Sequence, residues 1–420
     1  MIALDDIDRA LLRGDHGPAA VFAMELLVAY GSALGAPHFI PVVGAHVDGC
    51  LYHGAAGLDF VRRLVELGGR VRLPTTLNVG TMDLIHPELY RGDPAVGRAG
   101  RELMELHGAL GCLPTFTCAP YQTMFRPRFG DQIAWGESNA IVFANSVIGA
   151  RTARYGDFTD LAAAMTGRVP FAGLHVPGNR CGEVLFVLPD DAANHWEVDA
   201  LAVAVGYLIG IRSGSAVPVI VGLPGDIGED ALKALGAVAA SAGATGLFHA
   251  VGITPDAPDV ATAFAGVRPA ATIDVGHADI ADALRRLSTV EEGTPIAAVA
   301  LGTPHFSRAE FTRLMPLLDG FVPAPGVEIY VNTARDTLRA VEAELADEWF
   351  VRRASARLTV VTDTCTYVSC LMPRRTGAVM TNSGKWAHYA PGNLGVEVAF
   401  GSLAECIASA ASGRVTRLRR

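Results

Sequence analysis

Apolar positions along the first 35 residues recur at helical spacing: Ile7, Leu11 and Leu12, then Ala23, Leu26, Leu27 and Tyr30. Gly14 and Gly17 fall between the two groups, so a pair of helices joined at a glycine turn is predicted. The period then changes. Residues 39–43 form a short continuous apolar run, the pattern of a buried strand, which opens into a glycine-flanked His46 and Asp48. The plan repeats with a helix over 58–67 and a strand over 70–73. The stretch at 74–87, PTTLNVGTMDLIHP, follows no apolar period and reads as a polar loop. A helix is predicted at 96–110. From about residue 200 the rhythm is simpler, with strand-like runs at 217–222, 245–252, 271–276 and 295–302 separated by alanine-rich helices. Such alternation predicts an α/β fold with mostly parallel sheets. It divides into residues 1–200, which carry most of the polar motifs, a Rossmann-like 201–345, and a C-terminal segment, 346–420, that returns to polar chemistry.

The length of 420 residues exceeds what one core usually supports, and half of the residues are hydrophobic, which suits two or three domains. Net charge is -9, and the one basic run is the tail from Arg417 to Arg420. Nucleic acid is thereby excluded as a partner, because phosphate binding needs a clustered basic face. No apolar segment reaches the length of a membrane span, and the N-terminus is acidic and amphipathic, so a soluble, cytoplasmic protein is expected. Seven cysteines, an odd number spread over a long chain, suit a reducing compartment with thiols free or bound to metal. Lys233 and Lys385 are the only lysines, which draws attention to the polar motif around the second.

The densest chemistry lies between Cys112 and Arg151. Cys112 and Cys118 have five residues between them, which does not fit the CxxC spacing of a zinc site. Cys365 ends a strand predicted at 358–361. Two strand-end thiolates meeting at one crevice would suit iron–sulfur chemistry, with ordinary buried cysteines as the plainer alternative. Glu137, Ser138 and Asn139 stand at the start of a helix whose free amides can hold a carboxylate. Glu137 can act there as acid or base, although the helix dipole alone also favours it. Arg151, just beyond, offers a bidentate grip on a carboxylate. His46 and Asp48 lie where open α/β sheets place ligands, outside the strands' carboxyl ends; a capping turn is the alternative. Thr75, Thr76, Asn78 and Asp83 are either ligand groups or turn formers. In GTPHFSRAE, Ser307 and Glu310 form a capping box and leave His305 as the functional candidate. TNSGKWAHYAPG, at 381–392, reads as a carboxylate- or phosphate-binding loop carrying Ser383 and Lys385, without P-loop spacing. No strand is followed by GxGxxG, which argues against a dinucleotide cofactor.

Taken in order, these motifs resemble the large subunit of the aconitase X family, of the bacterial cis-3-hydroxy-L-proline dehydratase type. The resemblance runs to about residue 410. It rests on GAHVDG at 44–49, PTTLNVGTMDL at 74–84, TCAPY at 117–121, GESNAIVFANSVIGAR at 136–151, GLH at 173–175, TDTC at 362–365 and NSGKWAHYAPG at 382–392. It implies an aconitase-like large subunit of several three-layer α/β domains, with a separate small subunit carrying a swivel domain. It also implies a hydro-lyase that uses an iron–sulfur cluster, 2Fe–2S or 4Fe–4S, as Lewis acid. Cys118 and Cys365 match the family's cluster cysteines. Where archaeal members carry a cysteine in GCPH this chain has Thr303, so Cys112 is the nearest substitute ligand, ahead of Cys50 and Cys370.

The family dehydrates cis-3-hydroxy-L-proline in bacteria and mevalonate 5-phosphate in archaea. GTPHFS, with HVDGCLYHG and TMDLIHP, is similar to the bacterial type, whose product is 1-pyrroline-2-carboxylate. On this reading Lys385, Arg151 and the amides near Ser138 hold the substrate carboxylate, with Asp48, Thr75, Asn78, Asn139 and Ser383 lining its pocket. His46, His305 and Glu137 transfer protons. In aconitase relatives the base is a serine of the swivel domain, which would put it on the partner chain. Mevalonate 5-phosphate dehydration and a non-catalytic, carboxylate-binding scaffold are the alternatives; lysine scarcity counts against the first, and the cysteines and polar loops against the second.

Overall fold

The structure, a computed structural model, describes residues 2–122, 124–373 and 377–418, so the last two arginines of the basic tail lie outside the described residues. The N-terminal region begins with the two predicted helices, Asp6–Arg13 and Pro18–Ala33. It holds β1 (Phe39–Pro41), β2 (Ala45–Val47), β3 (Thr75–Leu77), β4 (Ala134–Trp135) and β5 (Arg168–Pro170). β2 lies between β3 and β4 and parallel to both, while β1 pairs antiparallel with β5. The next sheet is parallel throughout: β6 (Val184–Val187), β7 (Pro218–Val221), β8 (His249–Ala250) and β9 (Ala271–Asp274), in the order β8-β7-β6-β9. The last is also parallel: β10 (Ile296–Phe306), β11 (Glu328–Thr333), β12 (Leu358–Val361), β13 (Ala378–Thr381) and β14 (Val398–Phe400), in the order β12-β11-β10-β13-β14. The fold is α/β, as expected. Each region has its own core, around Leu11, Met24 and Leu103 in the first, Phe186, Ile220 and Leu235 in the second, and Val299, Phe311 and Trp349 in the third.

Pairing, rather than the rhythm of the sequence, sets the regions. β6 precedes residue 201 yet lies between β7 and β9, and β10 and β11 pair across residue 345 with β13 and β12. The third sheet therefore gathers strands that the sequence reading divided between two regions. β10 is its central strand, apolar and buried along almost its whole length because both faces are covered. It runs past Gly302, where the run had been expected to end. There φ is 81°, and an added Cβ would stand 2.2 Å from the Asn332 carbonyl oxygen, so glycine lets the two strands approach and carries β10 on to His305.

Two polar segments also differ from expectation. β3 occupies the start of the stretch read as a loop, and the Thr75 hydroxyl donates back to the Leu73 carbonyl at 2.9 Å. The 381–392 stretch is not a loop: β13 ends at Thr381, and the helix Gly384–Leu394 follows, capped by Ser383, whose Oγ accepts from Trp386 N at 3.0 Å. Among the described residues no helix is long and apolar enough to cross a membrane.

Candidate active site

His305 near the end of β10, Cys365 after β12, and Cys118 from the first region converge. One ligand atom from each lies within 4.8 Å of the others, and all three residues are buried. The amide of His305 donates to Cys118 Sγ at 3.3 Å. The Cys365 thiol is pushed well above its ordinary pKa, by its hydrogen bond with Cys118 and then by burial. His305 Nε2 faces the Thr364 carbonyl at 3.2 Å, and a carbonyl only accepts, so Nε2 carries the proton and Nδ1 takes the Thr117 hydroxyl at 3.0 Å. Burial holds this imidazole at about 4, neutral at physiological pH.

Asp83 joins the two halves of this group. Its carboxylate accepts from the amide and hydroxyl of Thr362 at 2.9 and 3.0 Å, and from the amides of Ile85 and His86 at 2.8 Å. Asp363 answers from the other side. It holds φ at 61°, is paired to Arg335 at 2.5 and 2.6 Å, and accepts the Leu84 amide at 3.0 Å. This latch delivers Cys365 to Cys118. Asp83→Ala is expected to destabilise the protein by roughly 3 kcal/mol or more, because it strands several buried donors at once. Denaturant unfolding measures the loss, and metal content should fall with it.

A second group lies alongside. Lys385, in the first turn of the helix Gly384–Leu394, forms a buried ion pair with Glu137 and donates to Ser138 Oγ at 3.3 Å. Glu137 caps the helix Ser138–Phe143, accepting the Ala140 amide at 2.6 Å. Burial pushes Glu137 upward, but the Lys385 charge and the amides outweigh it and hold the carboxyl below its ordinary range. Burial pulls Lys385 down, and Glu137 more than reverses that, so both groups stay charged. Asn139 donates to the Cys118 carbonyl and to Tyr121 Oη, each at 3.0 Å, tying this helix to the cysteine loop.

Asp48, at the carboxyl end of β2, is hydrogen-bonded to Asn78 and has no ion-pair partner among the described residues. Burial, then the charges of Glu137 and Asp157, raise its carboxyl to about 7. His46 in β2 hydrogen-bonds through Nδ1 to Thr76 Oγ1 at 2.8 Å, and burial holds it at about 4. Thr76 was read as a general polar candidate; it, and not Thr75, is the residue that orients His46.

Other expected site residues are placed elsewhere. Cys112 lies in the first core with Cys50, and its thiol is raised to about 12 by burial and by Asp160. It is not part of the buried cysteine and histidine group. Leu113 next to it bridges to Thr76. Arg151 is paired with Asp256 at 2.9 Å, in a separate cleft. Ser383 serves as a cap and donates to the Thr303 carbonyl. Asp83 and Asp363, the latter held by Arg335, do structural work at the site that local motifs do not reveal, since the Asp83–Thr362 and Asp363–Leu84 contacts each join positions 279 residues apart.

Two thiols and an imidazole make a donor set for a metal that accepts soft ligands, such as iron or zinc. Beside them Asn139 Oδ1 and Thr364 Oγ1, and at the neighbouring strand ends His46 Nε2 and Asn78 Oδ1, are buried without a hydrogen-bond partner among the described residues. The residues present fit a metal or cluster at this place.

This fold and site define an aconitase X protein. Family models match as the aconitase X first domain over residues 1–178, the second domain over 184–285 and the third domain over 296–412. The chain belongs to the aconitase X family. It is similar to a cis-3-hydroxy-L-proline dehydratase of Pseudomonas aeruginosa, 41% identical over 98% of this chain and 70% of that protein. A cis-3-hydroxy-L-proline dehydratase of Hypocrea jecorina is 38% identical over 98% of this chain and 69% of that protein. The phosphomevalonate dehydratase large subunit of Methanosarcina mazei is 33% identical over 97% and 96%. The crystal structure of Thermococcus kodakaraensis aconitase X in its holo-form superposes with a TM-score of 0.85 at 30% identity, covering 97% of this chain and all of that one.

Proposed function

We propose that this protein is a hydro-lyase that removes water from cis-3-hydroxy-L-proline, working with a small subunit that carries a swivel domain. The observation that carries the reading is the buried convergence of Cys118, Cys365 and His305 beside the Lys385–Glu137 pair and Asp48. Similarity to two hydroxyproline dehydratases supports the substrate, and similarity to the large subunit of a phosphomevalonate dehydratase supports the partner. A cytoplasmic setting suits the free thiols.

The reaction breaks the C2–H and C3–O bonds: a base on the small subunit takes the C2 proton, the electron pair left at C2 forms the C2=C3 enamine, and the C3 hydroxyl leaves as water once protonated. The enamine then tautomerises to 1-pyrroline-2-carboxylate. Cys118 and Cys365 would hold an iron centre, which His305 would join by giving up its Thr117 hydrogen bond at Nδ1, and when bound the centre would supply a Lewis acid for the C3 oxygen. Lys385 offers its ammonium to the substrate carboxylate and to the charge that develops on it as the C2 proton leaves. Glu137 keeps that ammonium charged and aimed. His46 and His305 are neutral and Glu137 is ionised, so Asp48, with its pKa of about 7, is the group suited to donate a proton to the departing hydroxyl.

Asp48 in this role predicts that kcat/KM falls as pH rises through about 7, and that Asp48→Asn lowers it by about 10²-fold and removes that inflection. The folded state also keeps an Asp48 proton that the unfolded chain releases near 3.8, so ionisation costs stability as pH rises from there to about 7. Asp48→Asn should therefore melt higher than wild type at alkaline pH. The test of function itself is an anaerobic assay of this chain, co-expressed with a small subunit, on cis-3-hydroxy-L-proline and on mevalonate 5-phosphate. Turnover of the amino acid alone is expected. Turnover of the phosphate ester alone would transfer the proposal to that substrate, and activity on neither would leave a carboxylate-binding scaffold.

A further inference from the structure

Of the two lysines, Lys385 belongs to the site already described. Lys233 is 2% exposed and lies in the helix Glu229–Ala242 of the second region, which supplies none of the cysteine, histidine or Lys385–Glu137 groups. An ammonium has three N–H donors, and three acceptors surround this one. Asp230, one turn earlier in the same helix, lies at 3.0 Å, the Glu310 carboxylate takes a second donor, and the carbonyl of His305 lies at 3.3 Å. Burial pulls Lys233 down, but Glu310 and Asp230 outweigh it and keep the group charged. With its donors committed, this ammonium has none left for a substrate.

The same carboxylates hold the chain just beyond His305. Asp230 accepts the Ser307 hydroxyl at 2.7 Å, and Glu310 accepts the Ser307 amide at 2.8 Å. Strand pairing does not do this work. β10 pairs with β13 as far as Ala300, and with β11 at Leu301 and next at Phe306, so residues 302–305 have no ladder partner. His305 is fixed instead by individual bonds: its amide to Cys118 Sγ, its imidazole between Thr117 and Thr364, and its carbonyl to Lys233.

We propose, resting on the reading of Cys118, Cys365 and His305 as metal ligands, that Lys233 is a positioning residue for the metal site. Its ammonium fixes the His305 backbone, and with it the bond from the His305 amide to Cys118 Sγ, before any metal is bound. The second region thereby takes part in a site whose ligands come from the first and third. Groups that hold metal ligands in place typically change metal affinity by about 10- to 100-fold.

Lys233→Met alone would leave Asp230 and Glu310 buried without their shared cation, so the test uses Lys233→Met combined with Glu310→Gln, which removes both charges of a pair. Glu310→Gln alone is the control, because Lys233 then keeps Asp230 and the His305 carbonyl. The whole chain of each, free of metal, is titrated anaerobically with cobalt(II), whose visible bands report its ligands, and is unfolded in urea. Glu310→Gln should bind cobalt about as wild type does. The double variant should bind about 10- to 100-fold more weakly, with displaced visible bands, while unfolding close to the wild-type midpoint. Wild-type affinity and bands in the double variant would overturn the role of Lys233 and leave the metal site standing, and an equal loss in Glu310→Gln would assign the effect to the capping carboxylate instead. No cobalt binding by wild type would overturn the metal reading and the role of Lys233 together. Should the double variant fail to fold, amide exchange in the metal-free wild-type chain decides. The His305 amide is expected to exchange as slowly as the paired residues of β10, and exchange at the rate of an open loop would show that residue 305 is not set in advance.

Discussion

Cys118→Ser and Cys365→Ser are each expected to strip the bound metal and lower kcat by about 10³-fold or more, the scale of losing a Lewis acid worth several kcal/mol. The two thiols come from separate regions and meet only because the Asp83–Thr362 and Asp363–Leu84 hydrogen bonds hold the loops together. A serine hydroxyl in their place is a hard, neutral donor that a soft-ligand metal binds poorly. The backbone at both positions is held by its neighbours, so the variants should stay folded. Cys112→Ser separates metal ligation from packing, because Cys112 lies in the first core away from this group. It should retain metal and activity and lose roughly 1–2 kcal/mol of stability through its buried hydroxyl. Iron analysis, visible absorption and turnover on anaerobically purified protein distinguish the three. Full iron and full activity in either Cys118→Ser or Cys365→Ser would sink the assignment, and metal loss in Cys112→Ser would restore the ligand that the sequence suggested.

The features that local pattern could reveal are those fixed by neighbouring residues. The two N-terminal helices and the Ser307–Glu310 capping box depend on contacts within a few positions, and the strand Leu358–Val361 shows in its own apolar run although its partner is the distant β11; the structure contains all of them. β3 was hidden because Thr75 and Thr76 look like loop formers, although both are β-branched and the Thr75 hydroxyl is satisfied by its own backbone. The helix Gly384–Leu394 was hidden for a related reason. It is buried against other regions, so Lys385 and Trp386 sit inside and no amphipathic period shows. Candidate chemistry was legible as residue types and not as partners. Lys385 and Glu137 were both singled out, but their pairing joins positions 248 apart in sequence. Arg151 carried the right chemistry for a carboxylate, and the carboxylate it meets is Asp256. The raised pKa of Asp48 depends on burial and on Glu137 and Asp157, none of which a spacing rule contains.

Lys385→Met and Glu137→Gln should each cost roughly 3–5 kcal/mol, because either change leaves the other charge buried and unpaired. Glu137 also caps the helix Ser138–Phe143, a contact that glutamine keeps in part through its amide oxygen. The double variant removes both charges together, so its stability should return to within about 2 kcal/mol of wild type. Activity should not follow. If the Lys385 ammonium meets the substrate carboxylate, all three variants lose about 10²- to 10³-fold in kcat/KM, the cost of removing one preorganised electrostatic group. Lys385→Arg keeps the charge, but the planar guanidinium does not reproduce a point charge held between Glu137 and Ser138, so rescue should be partial at best. Unfolding curves and steady-state kinetics on the same four variants separate the two roles. Stability and activity recovering together in the double variant would make the pair a structural bridge between the first and third regions. Recovery of stability alone places the Lys385 charge on the substrate, since only an interaction with the reacting molecule survives the restoration of the fold.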